Sequence, residues 1–163
     1  MAQEPHRPEQ TMSVLTYRTG VQDANIAGNV HGGQIMKLCD DAAAIAATRL
    51  AGGRVVTAAV DGMRFLSPVH VGDVITLRSA VNAVWRTSME VGVRVDSEDL
   101  NNGETRHTLT AYFTMVALDG DGKALPLPPL TPASAEDERR HGEACHRREV
   151  RLAKPGELRR TTG

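Results

Sequence analysis

The chain has 163 residues, of which 40% are apolar and 24% are charged, and its formal net charge is −1. This length suits one domain with a core of its own, and the charge gives no basic surface of the kind that attracts nucleic acids or membranes. The apolar runs are far shorter than the ~20 residues of a membrane span, so we expect neither a nucleic-acid nor a membrane partner.

The chain begins with the polar segment MAQEPHRPEQ, which lacks the apolar region of a secretory signal. We predict a flexible leader over residues 1–11. Two cysteines, Cys39 and Cys145, are too few for a disulfide framework. Cys39 falls within a predicted helix and is interpreted as a small buried hydrophobe. These features predict a reducing, cytoplasmic compartment.

The predicted elements are one strand, one long helix and four further strands. Residues 12–20 predict the first strand, and residues 32–53 predict a helix of about five turns that ends at a glycine pair. The four later strands are predicted over residues 54–66, 72–84, 86–99 and 105–118. One helix can bury only one stripe unless a sheet wraps around it. The order therefore predicts an α+β fold, with an antiparallel five-stranded sheet curled around a central helix.

The sequence changes character after residue 126. PLPPLTP predicts a stiff, extended exit from the domain, and residues 133–163 form a densely charged tail. The tail is predicted to be either a solvated helix or disordered, because it lacks the apolar stripe needed to dock firmly.

Two carboxylates, Asp40 and Asp41, lie in the middle of the predicted helix. At 100° per residue the sheet-facing stripe consists of Ile35, Leu38, Cys39, Ala42 and Ile45. The neighbours of Asp40 are also small or apolar: Met36, Ala43, Ala44 and Ala47. We therefore expect a second copy of the protein to cover this side, where a partly desolvated carboxylate would be a better base. The alternative is that Asp40 faces solvent. Asp41, which lies near Lys37, fits a solvent-facing position.

The start of the helix is a second candidate site. Gly32 and Gly33 allow close approach to first-turn N–H groups that have no intrahelical partner, and the helix dipole favours negative charge there. Such an end can bind a phosphate or polarise a carbonyl oxygen. The alternative is that the glycine pair only permits a tight turn. His31 fits a capping or packing role better than the role of a base.

Several segments, in order, resemble the hotdog-fold acyl-CoA thioesterases, and in particular the brain-type acyl-CoA hydrolases and their single-domain bacterial relatives. The segments are DANIAGNVHGGQIMKL, VVTAAVDGMRFLSPVHVGD, RTSMEV and YFTMVALDGDGKALPLPPLTP. The resemblance covers residues 12–132, which we predict to be the hotdog domain. In two-domain relatives one repeat supplies an asparagine and the other an aspartate, which match Asn25 and Asp40. The resemblance therefore implies a homodimer with two equal sites, and a trimer of dimers.

The resemblance also implies a reaction, the hydrolysis of fatty acyl-CoA to a free fatty acid and coenzyme A. Asp40 would act as general base or nucleophile, Asn25 would orient water or substrate, and the Gly33 amide would polarise the thioester carbonyl. Thr57 would support Asp40. Candidates for coenzyme A contacts are Gly32, Arg86, Thr87 and Ser88, although RTS also fits an ordinary strand start. Cys39 and Asp41 depart from the family pattern, which leaves the acyl-chain preference open.

Other functions are weighed against this one. A non-catalytic acyl-CoA-binding hotdog module is the main alternative, but a sensor of that kind needs an output element, and we do not expect the eleven residues before the domain to form a helix-turn-helix. A hotdog dehydratase normally needs a catalytic histidine, which no element places convincingly. The sequence has no G-x-S-x-G elbow and no zinc motif, so we expect no metal and no cofactor, with coenzyme A as a product.

Overall fold

Five strands form one antiparallel sheet in the order β1-β3-β4-β5-β2. The computed structural model describes residues 5–153. The strands are β1 Ser13–Arg18, β2 Val55–Phe65, β3 Val74–Val84, β4 Ser88–Asp99 and β5 Glu104–Ala117. The helices are α1 Pro8–Thr11, α2 Gly32–Ala51 and α3 Ala135–Leu152. The predicted α+β fold, with a five-stranded sheet around one long helix, is confirmed.

The sheet has two faces because side chains alternate along each strand. On β4 the residues Met89, Val91, Val93 and Val95 are all buried. They share a cluster with the buried face of α2, and we call this the inner face of the sheet. The opposite, outer face carries the alternate residues, such as Glu90 and Arg94.

Helix α2 lies close to the inner face because its buried residues are mostly alanines. His31 caps its start, and Gly52 ends it with a φ of 65°, a left-handed conformation that glycine adopts without strain. The buried residues are Ile35, Cys39, Ala42, Ala43, Ala46, Ala47 and Leu50. The Ser79 hydroxyl donates to the Ala42 carbonyl at 2.7 Å, which joins the helix directly to β3.

The buried stripe of α2 corrects the predicted phase of the helix. Leu38 and Ile45 are only partly buried, whereas Ala43 and Ala47 are completely buried by the chain's own sheet. The wrapped sheet therefore covers part of the side that we expected a second copy to cover. Met36, which is 45% exposed, remains uncovered beside Asp40.

Residues 5–11, predicted as part of a flexible leader, are packed against the domain. The Thr11 side chain is fully buried, and its hydroxyl donates to the Pro8 carbonyl and accepts the Val81 N–H at 2.9 Å. His6 pairs with the exit segment through its N–H to Pro129 O and its carbonyl to the Thr131 N–H. Residues 1–4 lie outside the described part of the chain.

The charged tail forms a helix over Ala135–Leu152, one of its two predicted alternatives, and this helix docks on the outer face. The contacts that dock it are polar, and the predicted lack of an apolar stripe gave no indication of them. Arg147 donates two hydrogen bonds to Glu90, at 2.7 and 2.9 Å, and its guanidinium lies 3.6 Å from the centre of the Tyr112 ring. Arg151 pairs with Asp61. Residues 154–163 of the tail lie outside the described residues.

Candidate active site

Asp40 and Thr57 are in direct contact where α2 passes the edge strand β2. The Thr57 hydroxyl donates to Asp40 Oδ1 at 2.5 Å. Asp40 is only partly buried, because β2 is the last strand of the sheet and no further strand among residues 5–153 lies beyond it. The predicted support of Asp40 by Thr57 therefore corresponds to a hydrogen bond in this structure. A carboxylate that is held in this way and is still partly exposed can accept a proton from water.

Asp41 lies on the exposed side of α2. Its carboxylate accepts a hydrogen bond from Lys37 at 2.9 Å, one turn earlier. This hydrogen bond, together with the charge of Asp41, raises the pKa of Lys37. The two adjacent carboxylates therefore differ in their surroundings, and Asp41 forms an ordinary surface pair.

Asn25 stabilises the loop before α2 with its own side chain. Its side-chain oxygen accepts the N–H groups of Ala27 at 2.9 Å and Asn29 at 3.2 Å. Among the hydrogen bonds of residues 5–153 none uses the side-chain amide N–H groups of Asn25, which can therefore donate to water or substrate. Ile26 at the loop tip is completely exposed. Within the described part of the chain, no hydrogen bond connects Asn25 to Asp40.

Asp23 fixes this loop to the domain and was not singled out from the sequence. Its buried carboxylate accepts the Tyr17 hydroxyl at 3.1 Å and the Gly20 N–H at 2.7 Å, and its carbonyl accepts the His31 N–H. Its place two residues before Asn25, in DAN, is the signal that could have identified it. Asp23 therefore positions both Asn25 and the start of α2.

The amide of Gly33 has a partner in the chain itself. His31 is the N-cap of α2, and its Nδ1 accepts the Gly33 N–H at 2.9 Å. The predicted capping role of His31 corresponds to this contact. A Cβ atom at position 33 would lie 3.1 Å from His31 Nδ1, so glycine fits beneath the ring. A thioester oxygen would have to replace the imidazole at this amide.

Arg86, Thr87 and Ser88 form the hairpin between β3 and β4. The turn is closed by the Trp85 N–H donating to the Ser88 carbonyl at 2.8 Å, and the Arg86 side chain is exposed. Met89, the next residue, lies opposite Met115, which is also opposite Thr57. Strands β4 and β2, on either side of β5, are therefore two strand spacings apart, which is about 10 Å. The hairpin therefore lies at the same end of the sheet as Thr57 and Asp40.

Cys39 lies next to Asp40 but points into the core. Burial, with the negative charge of Asp40 adding to it, raises the pKa of the Cys39 thiol to about 12. Such a thiol is neither a nucleophile nor a metal ligand at neutral pH.

Among residues 5–153, no group of three or more His, Cys, Asp or Glu side chains is placed to hold a metal ion. None of the helices in this range is long and apolar enough to cross a membrane.

Comparison with known proteins gives consistent matches. A family model described as the thioesterase superfamily matches residues 27–104. A Bacillus subtilis (strain 168) protein, named uncharacterized acyl-CoA thioester hydrolase YkhA, is 37% identical over 139 residues, which are 85% of this chain and 81% of that protein. A hexameric acyl-CoA thioesterase solved in its apo form is 35% identical with a TM-score of 0.90, covering 96% of this chain and 99% of that one.

An acyl-CoA hydrolase from Staphylococcus aureus is similar over the same range. Its structure, in complex with butyryl coenzyme A, coenzyme A and coenzyme A disulfide, has 30% identity and a TM-score of 0.89, covering 97% of this chain and 96% of that one. That hydrolase has also been solved as three variants in which an asparagine, an aspartate and a threonine are each replaced by alanine. Those residues are separated by the same intervals as Asn25, Asp40 and Thr57 in this chain.

Proposed function

The chain belongs to the hotdog-fold acyl-CoA thioester hydrolases of the thioesterase superfamily, and we propose that Asp40, supported by Thr57, is the catalytic carboxylate of its acyl-CoA hydrolysis. One observation carries this assignment, namely the hydrogen bond from the Thr57 hydroxyl to the partly buried Asp40. The contrast with Asp41, which is paired with Lys37 at the surface, supports the choice between the two. The matching spacing of the altered residues in the S. aureus hydrolase supports it further.

The reaction follows from this arrangement. Asp40 accepts a proton from water while the water oxygen attacks the thioester carbon, and the resulting tetrahedral oxyanion is stabilised by the Gly33 N–H in place of His31. The C–S bond then breaks, the fatty acid forms, and the coenzyme A thiolate takes up the proton from Asp40. Direct attack by Asp40, giving a mixed anhydride that water then cleaves, uses the same residues. Neither route needs a metal or another cofactor.

Each complete site is proposed to form between two copies of the chain. Asn25 and Asp40 do not contact each other, and the Asn25 loop presents the fully exposed Ile26. The edge strand β2 carries Val60 and Phe65, each 46% exposed. An unpaired, partly apolar edge beside Asp40 suits association with a second copy. Asn25 of one copy would then complete the site around Asp40 of the other, and three such dimers would give a hexamer.

Coenzyme A contacts are proposed at two places near this site. The exposed Arg86 and the Thr87 and Ser88 hydroxyls would bind phosphate oxygens at the hairpin, which lies at the same end of the sheet as Asp40. Gly32 would allow the pantetheine arm close to the start of α2.

The two free cysteines are consistent with the proposed reducing, cytoplasmic compartment.

A matched pair of substitutions tests the proposed role of Asp40. Asp40→Asn should lower kcat for acyl-CoA hydrolysis by about 10²–10⁴-fold, the range that general-base groups contribute. Asp41→Asn, the control on the exposed side, should stay within a few-fold of wild type. The measurement is thiol release from acyl-CoA of several chain lengths, with circular dichroism and oligomer mass to confirm the fold. Near-normal activity of a folded Asp40→Asn protein would show that another group is the base.

A further inference from the structure

The outer face of the sheet carries a row of arginines that the proposed reaction does not use. Arg78 on β3 lies directly opposite Arg94 on β4, and both Arg94 and Arg64 lie opposite Thr110 on β5. Directly opposite residues share one face of the sheet. Since the neighbouring residues Leu77 and Val93 point toward α2, this row points away from α2 and Asp40.

Helix α3 closes a cavity of about 280 Å³ over this row. Arg139 and Arg140 of α3 join Arg78 and Arg94 in its lining. Gly92 and the Asn82 side chain that packs over it also line the cavity. Tyr112 and Thr110 line both this cavity and an adjoining groove that includes Arg64. The cavity is therefore a partly open cleft between the sheet and α3, and it adjoins a groove that continues across the sheet.

Positive charge exceeds negative charge in this cavity and its adjoining groove. Asp96 is the acid shared by Arg78 and Arg94, and Glu136 and Glu143 are the acids that pair with the arginines of α3. Hydrogen bonds from Arg139 and Arg140 lower the pKa of Glu136 to about 2, so this carboxylate is charged at neutral pH. The remaining lining arginine, Arg147, is paired with the buried Glu90.

Five other arginines line the cavity and its adjoining groove, and three carboxylates pair with four of them, which leaves two positive charges unbalanced. The five are Arg64, Arg78, Arg94, Arg139 and Arg140. Like charges directly opposite each other, such as Arg78 and Arg94, destabilise a sheet. A dianion in the cavity would remove both the imbalance and the repulsion, and planar guanidinium groups bind phosphate oxygens in pairs.

We propose that this cavity between α3 and the outer face is a second binding site, which takes a phosphate-bearing anion. The sheet separates the site from Asp40, so its ligand does not occupy the place of the thioester. Two sources supply this chemistry, a free phosphate compound or the phosphate groups of coenzyme A. The proposal does not depend on Asp40, and binding is measured equally well in the Asp40→Asn protein.

The test measures binding of inorganic pyrophosphate to the full chain by titration calorimetry. Wild type should bind in a saturable way, and Arg78→Gln/Arg94→Gln should bind at least about tenfold more weakly, since hydrogen bonds to charged groups are lost. The control Arg18→Gln/Arg54→Gln removes the same charge from exposed positions outside the cavity and should bind as wild type does. Asp96→Asn removes a competing carboxylate and should bind more tightly than wild type.

Competition distinguishes the two sources. Displacement of pyrophosphate by coenzyme A in the Asp40→Asn protein would identify the phosphates as those of a coenzyme A molecule bound apart from the catalytic site, whereas pyrophosphate binding unchanged by coenzyme A would identify a separate ligand. Three results would overturn the proposal. These are no saturable pyrophosphate binding by wild type at millimolar concentration, equal or tighter binding by Arg78→Gln/Arg94→Gln, or a changed oligomer mass in that variant. The last result would make this face a contact between copies.

Discussion

At the residue scale, Asp40 and Asp41 show how one helix places adjacent carboxylates in different surroundings. A rotation of 100° separates them, so Asp40 reaches the Thr57 hydroxyl on β2 while Asp41 reaches Lys37 on its own helix. The Asp40 carboxylate is oriented by a strand, and strands are more rigid supports than surface side chains. Its geometry should therefore depend on Thr57.

Replacing Thr57 tests this dependence. Thr57→Val keeps the shape of the side chain but removes the hydroxyl, so kcat/KM for acyl-CoA should fall by roughly 10–100-fold, the equivalent of one hydrogen bond to a charged group. Thr57→Ser retains the donor and should keep most of the activity. Thiol-release kinetics provide the measurement. Equal rates for the Val and Ser variants would mean that the hydroxyl does not support the reaction.

The two cysteines should differ sharply in reactivity. With its pKa raised to about 12, the Cys39 thiol is ionised to only about one part in ten thousand at pH 8. Cys145 is partly exposed. Iodoacetamide at pH 8 should therefore modify Cys145 in the folded protein and leave Cys39 intact, as read by mass spectrometry of peptides. Protein unfolded in guanidinium is the control, in which both should react. Comparable rates in the folded protein would contradict the burial of Cys39.

At the scale of elements, α3 shows how a highly charged helix can dock without an apolar stripe. Glu90 is 1% exposed, and its carboxylate is satisfied by Arg147 from α3 and by the Asn82 side chain. Burying a carboxylate without such partners is costly. Helix α3 therefore contributes to the stability of the domain, although its composition is that of a solvated segment.

Removing the Arg147 guanidinium should destabilise the protein. Arg147→Ala leaves Glu90 without its main partner, so the free energy of unfolding should fall by roughly 3 kcal/mol, the cost of breaking a buried pair. Arg139→Ala, on the same helix but in exposed pairs with Glu136 and Glu143, should have a much smaller effect, because solvent screens exposed ion pairs. Urea unfolding measures both values. Equal effects of the two substitutions would show that α3 is not anchored through Glu90.

At the scale of the whole molecule, the proposed shared site makes activity a property of the oligomer. If Asn25 and Asp40 of one site come from different copies, a dimer of one Asn25→Ala chain and one Asp40→Ala chain has one site with both lesions and one intact site. Each variant alone has no intact site. This predicts recovery of activity upon mixing, provided that the two sites act independently.

Co-refolding the two variants tests this arrangement. Random pairing should give mixed dimers in about half of the population, so activity should return to roughly a quarter of wild type. Each variant unfolded and refolded alone is the control, and native mass spectrometry confirms the mixed dimers. If mixed dimers form without recovery, either both residues act within one chain or one of them is not catalytic.

The amino-acid sequence is enough to predict the order of the main elements, the strand periodicity of β4 and the helix that begins after His31. These depend on residues close together in the chain, through periods of 2 and 3.6 and through local capping. The spacing of residues along the helix drew attention to Asp40, and the family resemblance added Asn25 and Thr57. Their roles stay predictions until the variants are measured.

Which side chains come into contact depends on the folded arrangement of the elements. The sheet wraps far enough to bury Ala43 and Ala47, which shifted the exposed stripe of α2 from its predicted place. Glu90 is neutralised by Arg147, 57 positions later in the chain, and Arg78 faces Arg94 because of the register between β3 and β4. The energy of a buried charge depends on its partner in space, and chain order alone does not specify that partner.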